Sequence, residues 1–254
     1  MGNWKMNKDF SSATGIIGEF FKLAPDVGGE IDVVVFPPFP LIRAVVEAVK
    51  KGARWSDFIE VGAQDLYPGE RGAYTGAVSA LCLKSVGATR VIVGHSERRN
   101  IFGDDDAVVN TKLKTALAFN LSPVLCVGEP LDVREANRQS EFVHRQLEKA
   151  FEDIDMNHLE TITLAYEPLW AIGTGRNATT AEIAPMMALI RQWADNARVP
   201  GGGKSLCVLY GGSVNKENTA ELYAVEGVDG FLVGGASLEA FDFAGILETM
   251  AKGR

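Results

Sequence analysis

The sequence predicts an α/β protein, a single-domain (β/α)8 barrel that takes in residues 1–254. Eight short apolar segments recur along the chain, and a segment of helical pattern follows each of them. Strands that are apolar on both faces and alternate with helices are typical of a parallel sheet, and eight such units close into a barrel. Two doubly wound halves are the alternative. No linker-like stretch separates two halves, and the barrel is therefore favoured.

The predicted strands share an apolar run that is bounded by polar residues, glycines or a loop. They comprise residues 2–5, 31–36, 58–62, 90–93, 121–127, 161–166, 205–210 and 228–233. The first strand is only a stub, because Met1 stands directly before Gly2.

The predicted helices share apolar residues that recur at helical spacing. They comprise residues 11–23, 41–51, 78–85, 105–119, 132–151, 179–196, 216–224 and 238–251. The segment 132–151 is predicted as one long amphipathic helix. A long loop, residues 64–77, is rich in glycine and precedes the third helix.

Composition argues against several classes of protein. The net charge is −8 and no block of five like charges occurs, so no nucleic-acid partner is expected. No stretch approaches about 18 consecutive apolar residues, and the amino terminus lacks the apolar core of a signal peptide. We therefore expect a soluble, cytoplasmic protein without a membrane partner. Cys82, Cys126 and Cys207 form no C-x-x-C pair, which predicts free thiols and no thiol zinc site.

The sixth strand leads into the stretch LAYEPLWAIGTG, residues 164–175, which has the composition of a lid. Its apolar run ends in Glu167, and Pro168 biases that residue toward an extended conformation. Large apolar residues and then Gly173 and Gly175 follow, so the lid has one stiff and one loose hinge. A lid that closes over a carboxylate expels water and makes the carboxylate a stronger base. An ordinary strand-to-helix loop is the alternative.

Reactive or polar side chains follow four of the predicted strands, at the end where barrels carry their chemistry. These are Asn3 and Lys5, then His95, Ser96 and Glu97, then Cys126 and Glu129, and finally Glu167. Taken singly, each has an ordinary alternative: a histidine at the barrel rim, a surface lysine, a small core cysteine. His144 and His158 are expected to be structural or exposed.

Glycines follow the last two predicted strands. Gly211, Gly212 and Ser213 follow the seventh strand, and Gly234 and Gly235 follow the eighth. Bare backbone N–H groups at such positions can converge on an anion. Either pair alone is more often a tight turn, but both together match the phosphate corner of such barrels.

Six motifs at successive strand ends resemble the triosephosphate isomerase family. They are GNWKMN at 2–7, VGHSERR at 93–99, CVGE at 126–129, AYEPLWAIGTG at 165–175, YGGSV at 210–214 and DGFLVGGASL at 229–238. The resemblance spans nearly the whole chain. It implies a TIM barrel enzyme of glycolysis and gluconeogenesis that interconverts dihydroxyacetone phosphate and glyceraldehyde 3-phosphate as a homodimer, with no cofactor and no metal.

The resemblance also implies roles for individual residues. Glu167 matches the base, His95 the neutral electrophile that polarises the carbonyl, and Lys5 the cation that holds the anionic substrate and offsets enediolate charge. The other matched positions are Asn3 as a neighbouring substrate contact, Glu97 and Cys126 as supporting residues, Gly173, Ser213, Gly234 and Gly235 as phosphate contacts, and Leu232 close to them. The loop of residues 64–76 matches the segment that docks in the partner subunit, with Thr75 reaching toward the neighbour's site.

Two rival functions stay open beside this one. The first is another enzyme built on a phosphate-binding barrel. The second is a non-catalytic barrel that binds a phosphoester without turning it over. The second is disfavoured, because Lys5, His95 and Glu167 together supply the base and the oxyanion stabilisers that proton transfer next to a carbonyl needs.

The amino terminus departs from the family. Family members usually carry several apolar residues before the GNWK motif, whereas here Met1 directly precedes Gly2. We therefore expect a shortened first strand, with the missing piece at the amino-terminal end of the barrel, where losses affect stability rather than chemistry. The alternative is that the sequence lacks residues that the protein has.

Overall fold

Eight parallel strands form one sheet in the part of the chain that the computed structural model describes, residues 1–25, 27, 30–52, 55, 57–172, 177–197 and 202–253. The strands are β1 (Gly2–Asn3), β2 (Val33–Phe36), β3 (Ile59–Ala63), β4 (Arg90–Val93), β5 (Ser122–Val127), β6 (Thr163–Tyr166), β7 (Cys207–Tyr210) and β8 (Gly230–Phe231). Each strand pairs with the next along the chain. β1 and β8 also meet, because Asn3 N donates to Val233 O and Val233 N donates to Met1 O, both at 2.8 Å. The predicted (β/α)8 barrel is therefore confirmed.

Helices follow the strands and pack on the outside of the sheet. Within the described residues they are α1 (Phe10–Leu23), α2 (Ile42–Lys50), α3 (Ala80–Ser85), α4 (Ser96–Asn100), α5 (Asp106–Ala118), α6 (Leu131–Glu135), α7 (Gln139–Ala150), α8 (Thr180–Asn196), α9 (Thr219–Tyr223) and α10 (Ala240–Lys252). Short 3-10 turns cover Phe39–Leu41, Met156–Thr161, Leu169–Ala171, Gly202–Lys204 and Gly235–Leu238. None of the helices in these ranges combines the length and apolar character needed to cross a membrane.

Capping side chains explain where several helices begin. Before α1, Asp9 Oδ1 accepts a hydrogen bond from Ser12 N at 2.8 Å, and Ser12 Oγ accepts one from Asp9 N at 3.0 Å. Thr179 and Glu182 form the same reciprocal pair before α8. Such caps satisfy backbone donors that have no partner in the first turn, and each is worth about 1 kcal/mol.

The predicted helix over residues 132–151 is wrong in one respect, because the structure divides it into α6 and α7. The break lies at residues 136–138, where Asn137 has a φ of 56°. That left-handed conformation ends a helix, and asparagine adopts it more readily than most residues. The five-residue helix α4, which begins beside His95, was not predicted. β1 ends at Asn3 rather than Lys5, and β8 is shorter than the predicted 228–233.

Two apolar layers lie on the two faces of the sheet, because successive side chains along a strand point to opposite faces. Even-numbered residues of β2 fill the barrel interior, and odd-numbered ones pack outward against the helices. The interior layer comprises Val34, Phe36, Ile92, Val124, Cys126, Ala165, Leu209 and Leu232, with Met1 packed against it. Because this layer fills the interior, a ligand site is left only at the ends of the barrel. The assignment of residues 1–254 to one domain stays a prediction.

Candidate active site

A cavity of about 310 Å³ lies where the carboxyl ends of the strands converge. Its lining includes ten residues that the sequence analysis singled out, namely Asn3, Lys5, His95, Glu167, Gly211, Gly212, Ser213, Leu232, Gly234 and Gly235. Glu97 and Cys126 stand behind this lining and interact with members of it. Thr75 is exposed on the loop of residues 64–76, away from the lining, and Gly173 lies outside the described residues.

Glu167 is held at the end of β6 with its carboxylate almost fully buried, at 2% exposure. Its N–H donates to Val127 O at 2.8 Å. Its carboxylate accepts a hydrogen bond from Ser96 N at 2.9 Å through Oε2, and Oε1 lies 3.1 Å from His95 Nε2. A backbone donor on one oxygen and the imidazole beside the other offset part of the cost of burying the carboxylate.

Two glycines make room for Glu167. A Cβ at Gly128 would lie 1.7 Å from the Glu167 backbone oxygen, and one at Gly211 would lie 2.9 Å from Glu167 Cγ. Any side chain at Gly128 would displace the backbone that carries the carboxylate. These contacts give a physical reason for glycine in the CVGE and YGGSV motifs.

His95 caps helix α4 through its side chain. Its Nδ1 accepts a hydrogen bond from Glu97 N at 3.2 Å. A neutral imidazole has one accepting and one donating nitrogen, so we assign the proton to Nε2, the nitrogen that faces Glu167 Oε1. The buried ring therefore presents an N–H to the cavity, where it can polarise a carbonyl oxygen.

Lys5 has a φ of 51°, the left-handed conformation that costs a non-glycine residue roughly 1–2 kcal/mol. Two hydrogen bonds hold it there: Lys5 N donates to Asn3 Oδ1 at 3.0 Å, and Gln64 Nε2 donates to Lys5 O at 2.8 Å. The side chain extends past Gly234 and pairs with Glu97 Oε1 at 2.8 Å. Asn3 and Glu97 thus fix the position of the Lys5 ammonium group. Their roles were implied by resemblance alone.

The glycine-rich turns after β7 and β8 offer free donors at one wall of the cavity. Among the described residues, the N–H groups of Gly212, Ser213 and Gly234 donate to no protein acceptor. Unpaired N–H groups gathered at strand ends form an anion site. Gly212 is also sterically required, since a Cβ there would lie 2.1 Å from the Tyr210 hydroxyl.

Glu129 anchors the first part of the predicted lid. It is fully buried, and its carboxylate accepts hydrogen bonds from Trp170 Nε1 at 2.9 Å and from the Tyr166 hydroxyl at 3.0 Å. Burial raises the pKa of Glu129, although these donors and Arg134 oppose the shift. Burial and the neighbouring Glu129 also raise the pKa of Tyr166. The sequence placed Glu129 at a strand end but suggested no partner for it. Its hydrogen bonds to Tyr166 and Trp170 join segments about 40 residues apart, which the order of residues along the chain does not reveal.

Cys126 lies in the barrel interior beneath Glu167. Burial raises the pKa of its thiol well above the usual value, and the nearby Glu167 raises it further. The thiol therefore stays protonated and is not a nucleophile. In the described part of the chain, His, Cys, Asp and Glu side chains form no cluster of three that could hold a metal ion.

A buried ionic cluster joins the loop of residues 64–76 to the α4 region. Lys112 Nζ, on α5, lies 2.7 Å from Asp65 Oδ1 and 2.6 Å from Asp104 Oδ2. Arg98 also contacts both acids, at 3.2 Å and 3.3 Å. Burial raises the pKa of Asp65, whereas for Asp104 the hydrogen bonds from Lys112 and Arg98 outweigh burial and lower its pKa. The sequence contained no signal for this cluster.

Comparison with known proteins places the chain in a family. The family model described as "Triosephosphate isomerase" matches residues 1–250. The triosephosphate isomerase of Trichlorobacter lovleyi is 42% identical over 246 residues, which is 97% of this chain and 96% of that protein. Those of Azoarcus sp. and Moorella thermoacetica are each 43% identical, over 96% and 97% of this chain and 96% of each relative. The chain therefore belongs to the triosephosphate isomerase family.

Proposed function

We propose that this chain interconverts dihydroxyacetone phosphate and glyceraldehyde 3-phosphate by moving a proton through an enediolate, with Glu167 as the base. One observation carries the proposal: Glu167 Oε1 and His95 Nε2 lie 3.1 Å apart in a buried site beside an anion-binding wall. A base and a neutral N–H donor at this separation can act on adjacent carbon and oxygen atoms of one small substrate.

Substrate binding explains how the base is released. In the structure Glu167 Oε1 lies 3.1 Å from His95 Nε2, the nitrogen whose N–H faces the cavity in our assignment. A substrate carbonyl that accepts the same N–H takes this donor from Glu167 and leaves one carboxylate oxygen free to face the adjacent carbon. Glu167 removes a proton from that carbon and the enediolate forms. The proton of the substrate hydroxyl then passes to the former carbonyl oxygen by way of His95 Nε2, and the acid of Glu167 returns its proton to the neighbouring carbon. Ser96 N holds the other oxygen at 2.9 Å.

The enediolate needs positive charge and N–H donors, which His95 and Lys5 supply. Removing one such donor from an enzyme site typically lowers the rate about 10²- to 10³-fold. Asn3 orients Lys5 through the 3.0 Å hydrogen bond, and Glu97 holds both the ammonium and the imidazole in place. We assign the substrate phosphate to the wall of Gly212, Ser213, Gly234 and Gly235, with Leu232 beneath it.

Water must be kept from the enediolate, and the segment after Glu167 is suited to this. Ile172 lines the cavity, and Trp170 ties the segment to Glu129. The flexible hinge predicted at Gly173 and Gly175 lies outside the described residues and stays a prediction. Closure of an apolar cover strengthens the electrostatic interactions inside and blocks loss of the intermediate. We place this reaction in the cytoplasm, as expected of a glycolytic enzyme.

Solvent hydrogen exchange tests the proposed function directly. The purified protein in deuterium oxide is expected to convert either triose phosphate into the other and to place deuterium on the carbon that receives the proton. The enediolate mechanism requires this, because the proton on a carboxylic acid exchanges with solvent. Mass spectrometry of the products measures it. A protein that binds the phosphoester but yields neither interconversion nor label would be the non-catalytic barrel instead.

We also propose that two copies associate through the loop of residues 64–76. Residues 70–77 are all exposed, and the rings of Tyr74 and Tyr67 pack in a tilted arrangement with centroids 4.4 Å apart. Exposed apolar side chains adjoin the base of the loop: Met6 is 96% exposed next to Lys5, and Phe102 is 64% exposed beneath Arg98, which pairs with Asp65. Large apolar side chains that are exposed near one projecting loop favour a protein interface there. A second copy would cover these apolar side chains, and Thr75 of one copy would reach the active site of the other.

Two phenylalanines provide a matched test of this interface. Phe102 and Phe241 are 64% and 63% exposed, and each lies under a cation, Arg98 or Lys216. We expect Phe102→Ser to weaken the dimer and lower activity with it, whereas Phe241→Ser should change neither. Deletion of residues 70–73 should yield a monomer of low activity. Sedimentation velocity over a range of concentrations measures the association, and a fully active monomer of the unchanged protein would refute the dimer.

A further inference from the structure

Strand β4 leaves the sheet immediately before the active site. Its pairing with β5 extends to Val93↔Leu125. At the next residue, Gly94, the chain turns away with a φ of 73°, a conformation that glycine adopts at little cost. The turn carries His95 to its place 3.1 Å from the Glu167 carboxylate. Strand β5 therefore continues toward the active site without β4 beside it.

Backbone groups of β5 beyond this point need another partner. Alternate residues of a strand direct their backbone groups to opposite neighbours. The even-numbered residues of β5 direct theirs toward β4, since Ser122 N donates to Thr89 O at 2.9 Å. Cys126 O and Gly128 N thus point to the side that β4 has left. A buried backbone group without a partner costs about as much as a lost hydrogen bond.

Two side chains take the place of β4. Gln146, on α7, is 4% exposed, and its Oε1 accepts a hydrogen bond from Gly128 N at 2.8 Å. Because an N–H requires an acceptor, this contact fixes which way the amide of Gln146 faces. Arg99 Nε donates to Gly94 O at 2.8 Å, and its Nη2 lies 3.5 Å from Cys126 O. Gln146 thus supplies the acceptor that a neighbouring strand supplies elsewhere in the sheet.

Gly128 is the residue of this stretch that contacts the base. A Cβ at Gly128 would lie 1.7 Å from Glu167 O, so the two backbones pack directly on each other. On either side of this contact, Glu167 N donates to Val127 O at 2.8 Å, and Leu169 N donates to Glu129 O at 3.1 Å. The backbone that carries the base therefore rests on three consecutive residues, and the middle one is held from α7.

We propose that Gln146 is a positioning residue for the base, an inference that rests on the role of Glu167 in the proposed function. Gln146 does not line the cavity and acts through Gly128. Without the amide oxygen, the buried N–H of Gly128 has lost its acceptor, and the segment must shift to find another. Such a shift moves the Glu167 carboxylate relative to the reacting carbon, and a misplacement of ~1 Å can cost about 10²-fold in rate.

Three variants test this role. Gln146→Met removes the acceptor and keeps the length of the side chain, whereas Gln146→Glu keeps an acceptor in nearly the same shape. Asn110→Leu is the matched control. Asn110 Nδ2 donates to Ala150 O at 2.8 Å and to Glu152 O at 2.9 Å, so this change loosens the carboxyl end of the same helix without touching Gly128.

Steady-state kinetics should separate positioning from general loosening of α7. We expect Gln146→Met to lower kcat roughly tenfold with KM unchanged, since the phosphate wall is not affected. Gln146→Glu should recover most of this loss. Asn110→Leu should lower Tm and leave kcat unchanged at temperatures well below Tm. An unchanged kcat in Gln146→Met, or an equal loss of kcat in Asn110→Leu, would overturn the proposal.

Amide hydrogen exchange provides a readout that does not depend on activity. In Gln146→Met, peptides that contain the Glu167 and Leu169 amides should exchange roughly tenfold faster, relative to a peptide from α1, and they should not do so in the other two variants. Unchanged exchange in Gln146→Met would overturn the role of Gln146 alone. An unaltered chain without isomerase activity would refute the proposed function instead, so the two failures are distinguishable.

Discussion

Glu167→Asp is expected to lower kcat by about 10²-fold while KM changes little, because displacing a catalytic group by ~1 Å from the reacting carbon slows proton transfer by that order. The carboxylate of Glu167 lies 2.9 Å from Ser96 N and 3.1 Å from His95 Nε2. Aspartate is one methylene shorter, and the backbone cannot advance to compensate, since Gly128 packs against the Glu167 carbonyl. Steady-state kinetics in both directions measure the effect.

The control for this change is Glu221→Asp, the same substitution at an exposed position on α9. It should leave kcat unaltered. Glu167→Gln keeps the shape of the side chain but removes the base. We therefore expect this variant to bind triose phosphate and to convert it about 10²- to 10⁴-fold more slowly. An unchanged kcat in Glu167→Asp would refute the assignment of Glu167 as the base.

The strand ends were the predictable part of the site. A (β/α)8 barrel brings the carboxyl ends of all strands to one face, so Lys5, His95 and Glu167 could be grouped although 162 positions separate the first from the last. The family is confirmed by the comparisons. The individual roles of these residues stay predictions, and the kinetics above would test that of Glu167.

Other features could not be predicted, because they depend on geometry rather than on order along the chain. The proton position on His95 follows from a hydrogen bond with Glu97 N that forms only once α4 begins there. The break before α7 follows from the φ of Asn137, in a segment whose apolar periodicity continues across it. The contact of Trp170 with Glu129 depends on the packing of β5 against β6.

The two ends of the barrel carry different functions. At the carboxyl end, the left-handed conformation of Lys5 and the buried carboxylate of Glu167 lie at the cavity that we propose binds the substrate. The amino-terminal end lies on the far side of the interior layer that contains Val34 and Leu209. Changes at that end should therefore alter stability and leave kcat unchanged.

The buried cluster around Lys112 should have the largest single effect on stability. Lys112 is 3% exposed and lies between the carboxylates of Asp65 and Asp104. Breaking a buried ion pair by removing one partner leaves an uncompensated charge, which typically costs about 3–5 kcal/mol. Among the described residues, Arg98 is the cation that remains beside these two acids, and its contacts are longer, at 3.2 Å and 3.3 Å.

We therefore expect Lys112→Met to lower the free energy of unfolding by about 3–5 kcal/mol, as measured by urea denaturation at fixed protein concentration. Lys114→Met is the matched control on the same helix: its ammonium is half-exposed and lies 3.8 Å from Asp153, so the cost should stay below about 1 kcal/mol. Adding Asp104→Asn to Lys112→Met should restore part of the loss, because it removes one of the two buried carboxylates. Equal losses from the two lysine substitutions would mean that the buried cluster contributes no more than a surface pair.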